Sequence, residues 1–231
     1  MAIIKRIVCL ANSRKRSGRC VAGKELSRHR PPGWIRPVSD REHEEVSEHE
    51  CRYQDGSIVR VLDIIAVPLL DPRLRDYQQE NWLLDPGHYW VKVGRATWSH
   101  LPDLADSFAP LWVNGHSTYN GCNDKIPLAL AARLTSSLRL VQVDHLMLSV
   151  FTSGEAFGTP RRRVQGQFWH DGIEYRLWVT DPTWERAYLR RPDGDYEIGE
   201  SFLTISLSEP YNDACYKLIA AIIQPDGETR L

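Results

Sequence analysis

The run RRRVQGQFWHDGIEYRLWVTDP (161–182) constrains the fold more than any other part of this chain. Two stretches rich in aromatic and β-branched residues flank His170-Asp171-Gly172, and an Asp-Gly pair in that setting is a hairpin turn signal. The second stretch ends at Asp181-Pro182. Asp181 there supplies a helix N-cap and Pro182 the first helical residue, which predicts a short helix to about Arg190.

The same alternation of strand and turn signals recurs along the chain. IIKRIVCLA (3–11) predicts a first strand, and a turn at Gly18 leads into a second around Arg19–Ala22. SIVRVLDIIAVPLL (57–70), HYWVKVGRATW (88–98), LRLVQVDHLMLSVFTS (138–153), FLTISLS (202–208) and ACYKLIAAIIQ (214–224) add further strands. Gly94 marks a bulge or bend, and the last segment also fits a short helix by periodicity. Ser39-Asp40-Arg41-Glu42 has the form of a capping box and predicts a short surface helix over 40–50, with only Val46 to bury. One or two helical turns are expected over 101–108, ahead of the loop-like VNGHSTYNGCNDKIP (113–127). The fold class expected is all-β or β-dominated α+β, built of small barrels or sandwiches. With 231 residues there is room for two of them, divided within 103–135 into domains 1–110 and 111–231.

Hydrophobic residues at 42% and charged residues at 26% fit a globular chain with a real core. No apolar stretch approaches the roughly 20 residues that span a bilayer. Lys5 and Arg6 interrupt the N-terminal apolar residues, and a basic run follows where a signal-peptide cleavage site would stand. Five widely spaced cysteines without a C-x-x-C pair fit reduced thiols, so a cytoplasmic location is expected.

Signals of catalysis are few. The chain carries no P-loop, G-x-G-x-x-G, H-E-x-x-H or G-x-S-x-G. His43, His49 and Cys51 match no common structural zinc spacing, and a fourth ligand would have to come from elsewhere, such as His116 or Cys122. His170-Asp171 suits turn geometry better than general-base chemistry, and Cys122 has no local base. No catalytic residue, metal or cofactor is therefore expected; an enzyme assembled by geometry alone stands as an alternative.

The charge distribution is more informative. Residues 1–36 hold ten Lys or Arg against one acid, Glu25, whereas Asp40 to Asp55 holds seven acids against Arg41 and Arg52. Arg14, Lys15, Arg16, Arg19 and Lys24 flank a glycine-containing turn, where cations can displace counterions from a phosphate chain. Arg161, Arg162 and Arg163 open a strand pair that goes on to carry Phe168, Trp169, Tyr175 and Trp178. Cations beside aromatic rings on a β surface are what a single-strand groove requires, although Phe168 and Trp169 must face opposite ways. The candidate contacts are these eight cations together with Trp169 and Tyr175. The expected partner is nucleic acid, single-stranded in preference to duplex. An adaptor binding a protein or a small nucleotide is the other reading.

Four segments carry a family resemblance: IVCLANSRKRSGRCVAGKE near the start, DYQQENWLLD (76–85), YRLWVTDP (175–182) and SLSEPYNDACYKLIAAII (206–223). Together they resemble the bacterial dual OB-fold domain family over about residues 3 to 224. The resemblance implies two OB-like barrels and an association with bacterial conflict or defence systems, as a nucleic-acid sensor with a possible protein partner. It implies no catalytic residues. The first motif places ligand-contact candidates among Asn12 to Cys20, and Thr180-Asp181-Pro182 falls where a helix cap is expected.

Overall fold

The computed structural model describes residues 2–26, 32–107 and 110–225; Arg28, Arg30 and Pro31 of the N-terminal reading, and residue 108, lie outside them. The chain divides into two compact units, Met1–Leu104 with Thr135–Ser137, and Ala105–Leu134 with Leu138–Leu231.

The first unit contains β1 (Ile3–Lys15), β2 (Gly18–Glu25), β3 (Trp34–Val38), β4 (Asp63–Pro72), β5 (Asn81–Leu84) and β6 (Val91–Arg95). Their order is β1-β2-β3-β5-β4, and β4 pairs back onto β1, closing a five-stranded barrel with β6 beside β4. β3 and β5 run parallel and the other pairs antiparallel. Ile7, Cys9, Val21, Ile35, Ile65, Val67, Leu69, Leu84 and Trp90 fill its interior.

The second unit holds β7 (Lys125–Pro127), the single-turn α1 (Leu128–Ala131), β8 (Leu138–Ser153), β9 (Arg161–His170), β10 (Ile173–Val179), α2 (Pro182–Tyr188), β11 (Gly194–Leu207) and β12 (Ala214–Ile223). Here β8-β9-β10-β12-β11 closes through β11 onto β8, again with one parallel pair, β10 with β12. Two chains of five strands thus close by one rule, the Greek-key closure of an OB barrel. Val141, Leu146, Leu148, Val164, Phe168, Tyr175, Leu177, Leu203, Ile205 and Ile219 form the second core.

Several local expectations hold. Asp171 and Gly172, at φ 51° and 71°, make a two-residue left-handed turn between β9 and β10. Asp181 accepts the N–H of Thr183 at 2.9 Å and of Trp184 at 3.3 Å, which caps α2. The 214–224 segment is a strand, since its residues pair with β11 and β10.

Others are corrected. Residues 40–50 form turns, not a helix: Val46 is drawn into an antiparallel bridge with Arg19 (N–H to carbonyl 2.7 and 3.0 Å), and Ser39 Oγ donates to the Glu45 carbonyl at 2.6 Å. The strand read from residue 57 begins only at Asp63, because Leu62 sits at φ 73° and turns the chain. The 88–98 strand shrinks to β6, and its bulge lies beside Gly94. β11 starts at Gly194, eight residues ahead of the segment read from sequence.

One glycine is fixed by close approach. A Cβ on Gly23 would stand 2.1 Å from the Val8 carbonyl oxygen, where β1 shifts register between Cys9 and Ala11. Gly23→Ala is expected to cost about 1–3 kcal/mol by overpacking, read as a lower urea midpoint of the first barrel.

Candidate nucleic-acid interface

The N-terminal cations do not form one open cluster. Arg14 and Lys15 pair with Arg19 and Gly18 at the tip of the β1–β2 hairpin, and Arg16 occupies the turn at φ 49°. Arg14 and Arg16 are exposed, but Arg19 ion-pairs with Glu48 at 2.6 Å. Lys24 is 2% exposed, with its ammonium 5.1 Å from the Trp34 ring centre. Within the acidic stretch, Glu50 accepts Arg41 at 2.7 Å and the Ser47 N–H at 2.8 Å. Two bound guanidinium protons and a backbone donor hold the Glu50 carboxyl below its ordinary value against the effect of burial.

In the second barrel, strand alternation sorts the candidates into two faces. Phe168 and Tyr175 face each other across β9 and β10 and stack in the core at 5.4 Å. Tyr175 is fully buried and is thereby removed from the ligand-facing set. Arg162 is occupied as well: it ion-pairs with Asp193 at 2.6 Å and donates to the carbonyls of Leu189 and Arg191, fastening the chain that leaves α2.

The opposite, outward face carries Arg161, Arg163, Gln165, Gln167 and Trp169 from β9, Glu174, Arg176 and Trp178 from β10, and Phe151 from β8; Glu174 ion-pairs with Arg176 at 3.3 Å and accepts Gln167 Nε2 at 2.8 Å. Arg163 lies 4.8 Å over the Trp178 ring, and Phe151 packs 5.7 Å from that ring. Among the described residues no carboxylate pairs with Arg161 or Arg163. Burial, and then the like charge of Arg161, pull the Arg163 guanidinium below its ordinary pKa. Trp169 is 61% exposed. Six residues along β9 separate it from Arg163, about 20 Å of strand.

Residues 113–124 lie along the edge of β10. Cys122 and Arg176 exchange backbone hydrogen bonds of 3.2 and 3.0 Å, and Asn123 Nδ2 donates to the Glu174 carbonyl at 3.0 Å. Asp124 accepts the Thr118 N–H at 2.7 Å and its hydroxyl at 2.5 Å. Beneath them Lys217, 1% exposed, donates to the Val113 carbonyl at 2.8 Å and Asn114 Oδ1 at 2.7 Å. No group of three or more His, Cys, Asp or Glu side chains among the described residues could hold a metal ion. No described helix is long and apolar enough to cross a membrane.

A family model described as dual OB-containing domain matches residues 5–222. The chain belongs to the dual OB-containing domain family. No curated protein matches this dual OB chain. Among solved structures it is similar to "Crystal structure of the tetrameric p202 HIN2", at 11% identity over 96% of this chain and 93% of that one, with a TM-score of 0.29.

The motifs of this dual OB chain divide by role. Gln78, Glu80 and Asn81 of the second motif are buried around Arg36. Its guanidinium donates to Glu80 at 2.9 Å and to Ser137 Oγ at 2.6 Å, and Asn81 Nδ2 donates to Gln78 at 3.2 Å. The third motif caps α2, and the last supplies β12 and Lys217. Of the residues chosen from sequence, the structure brings Arg161 and Arg163 to one face with Trp169, and leaves Arg14, Lys15 and Arg16 on a separate hairpin. Trp178, and not the buried Tyr175, shares that outward face. The alternation that parts Phe168 from Trp169 also parts Tyr175 from Trp178.

Proposed function

We propose that this dual OB protein binds single-stranded nucleic acid without catalysing a reaction, and that the outward face of β8, β9 and β10 carries the ligand. The observation that carries the reading is the Arg163 guanidinium held over the Trp178 ring, beside Arg161, with no carboxylate among the described residues paired to either. Cations of this kind track a phosphate chain while rings stack on bases, each stack contributing about 1–3 kcal/mol. A duplex keeps its bases stacked on each other, so an outward ring gains from unpaired strands alone. The second and third strands of an OB barrel, here β9 and β10, form the face that OB folds turn toward oligonucleotides. In this role the chain would act as the recognising part of a larger bacterial defence assembly, the setting its family implies.

Titration of labelled single-stranded and duplex DNA and RNA over a range of salt tests the reading. Arg161→Glu with Arg163→Glu is expected to weaken single-strand binding by about tenfold or more, and to reduce the salt slope by about one to two. Charge reversal at Arg19 is expected to change affinity little, since Glu48 already neutralises it. Absence of measurable affinity for every strand at low salt would sink the proposal.

A further inference from the structure

Three described aromatic side chains of the second unit, Tyr119, Tyr211 and Phe157, are more exposed than any on the face just described. Tyr119 is 79% exposed and Phe157 67%, yet they meet edge to face at 5.8 Å. Neither position is left to chance. Phe157 tips the β8–β9 loop, which Gly154 closes by accepting the N–H of Phe157 at 3.0 Å and of Thr159 at 3.1 Å. Gly154 sits at φ 83°, where a Cβ would meet the Thr159 carbonyl oxygen at 2.4 Å, so the turn requires glycine there. Tyr119 is carried by the segment that Lys217, Asp124 and the Cys122–Arg176 bridge fasten down. The next residue, Asn120, accepts Gln165 Nε2 at 2.8 Å, and Gln165 lies directly across from Trp178.

The geometry points to a second base-stacking subsite, formed by Tyr119 and Phe157 and continuous with the Arg163–Trp178 patch, that takes an unpaired base of the same strand. This rests on the proposed nucleic-acid reading and extends it to residues outside the barrel strands. Leaving two large rings in water is unfavourable for a monomer, and pinning them together in fixed loops removes the entropy that a ligand would otherwise have to freeze. From Phe157 through Arg161 and Arg163 to Trp178, two cations stand between two rings, as phosphates stand between the bases of a single strand.

The test uses the full chain with labelled oligothymidylate and with an oligomer of abasic sites of equal length. Tyr119→Ala with Phe157→Ala is expected to lower affinity for the thymidylate about ten- to a hundredfold, with no change on the abasic strand and none in the melting temperature. Tyr119→Phe with Phe157→Tyr should retain wild-type affinity. If the alanine pair binds thymidylate as tightly as wild type while Trp178→Ala weakens it, the subsite is wrong and the main reading survives. An equal loss on both strands would also overturn it, since rings that stack bases cannot act on a strand without them. If wild type itself binds no oligomer, the failure belongs to the main reading.

Discussion

Glu80→Ala is expected to destabilise the first barrel by about 3–5 kcal/mol, the usual consequence of leaving a buried charge without its partner. Arg36 and Glu80 are 4% and 5% exposed, and their ion pair spans 2.9 Å. Ser137 completes the arrangement, its hydroxyl donating to Glu80 and its N–H approaching the same carboxylate at 3.3 Å. The Arg36 backbone N–H also donates to the Glu80 carbonyl at 2.8 Å, so the pair sits where β3 and β5 meet in parallel. Arg36→Ala should cost a similar amount, and Glu80→Gln less, because an amide keeps an acceptor without the charge. Urea unfolding followed by fluorescence should show one transition move and the other stay, since two units can unfold separately. If Glu80→Ala shifts neither by more than about 1 kcal/mol, the pair contributes nothing net, as exposed pairs do.

The second large effect depends on pH. Burial pushes the Lys217 ammonium from an ordinary 10.5 down to about 7, with Asp124 opposing the shift. Below about pH 7 both folded and unfolded chains hold the proton, and the folded state bears the full cost of a buried charge. Between about 7 and 10.5 the unfolded chain binds a proton that the folded one has released. Stability from this residue therefore rises with pH across that window, by up to about 1.4 kcal/mol per pH unit. Lys217→Met should flatten the slope of the second barrel's unfolding free energy over this range. It should also loosen residues 113–124, whose Val113 and Asn114 lose their donor. Parallel slopes for the two proteins would show that the amine titrates normally.

What the sequence disclosed were features whose causes lie within a few residues. Asp171-Gly172 sets its hairpin and Asp181-Pro182 starts its helix, because turn and cap geometry need only local side chains. The capping-box pattern at Ser39 misled because no apolar stripe stood behind it, and Val46 had a better use opposite Arg19. The site was harder to see. A cation's worth depends on which carboxylate reaches it, and Glu48, Asp193 and Glu25 come to Arg19, Arg162 and Lys5 from 20 or more residues away. Tyr175 and Trp178 look alike in a string, and only the barrel's interior decides which one turns inward. Tyr119 and Phe157 were invisible for another reason: they lie on separate loops, and nothing in either loop names the other.

The return of Thr135–Ser137 to the first unit bears on how the molecule is made. As the nascent chain leaves the ribosome, β1 to β6 can pair once residue 95 or so has emerged, yet Arg36 and Glu80 lack Ser137 until some forty residues later. A truncated polypeptide ending after Leu104 would contain every strand of its barrel and still leave that carboxylate short of two donors. Translation must therefore run to the threshold of β8 before the earlier half acquires its finished interior.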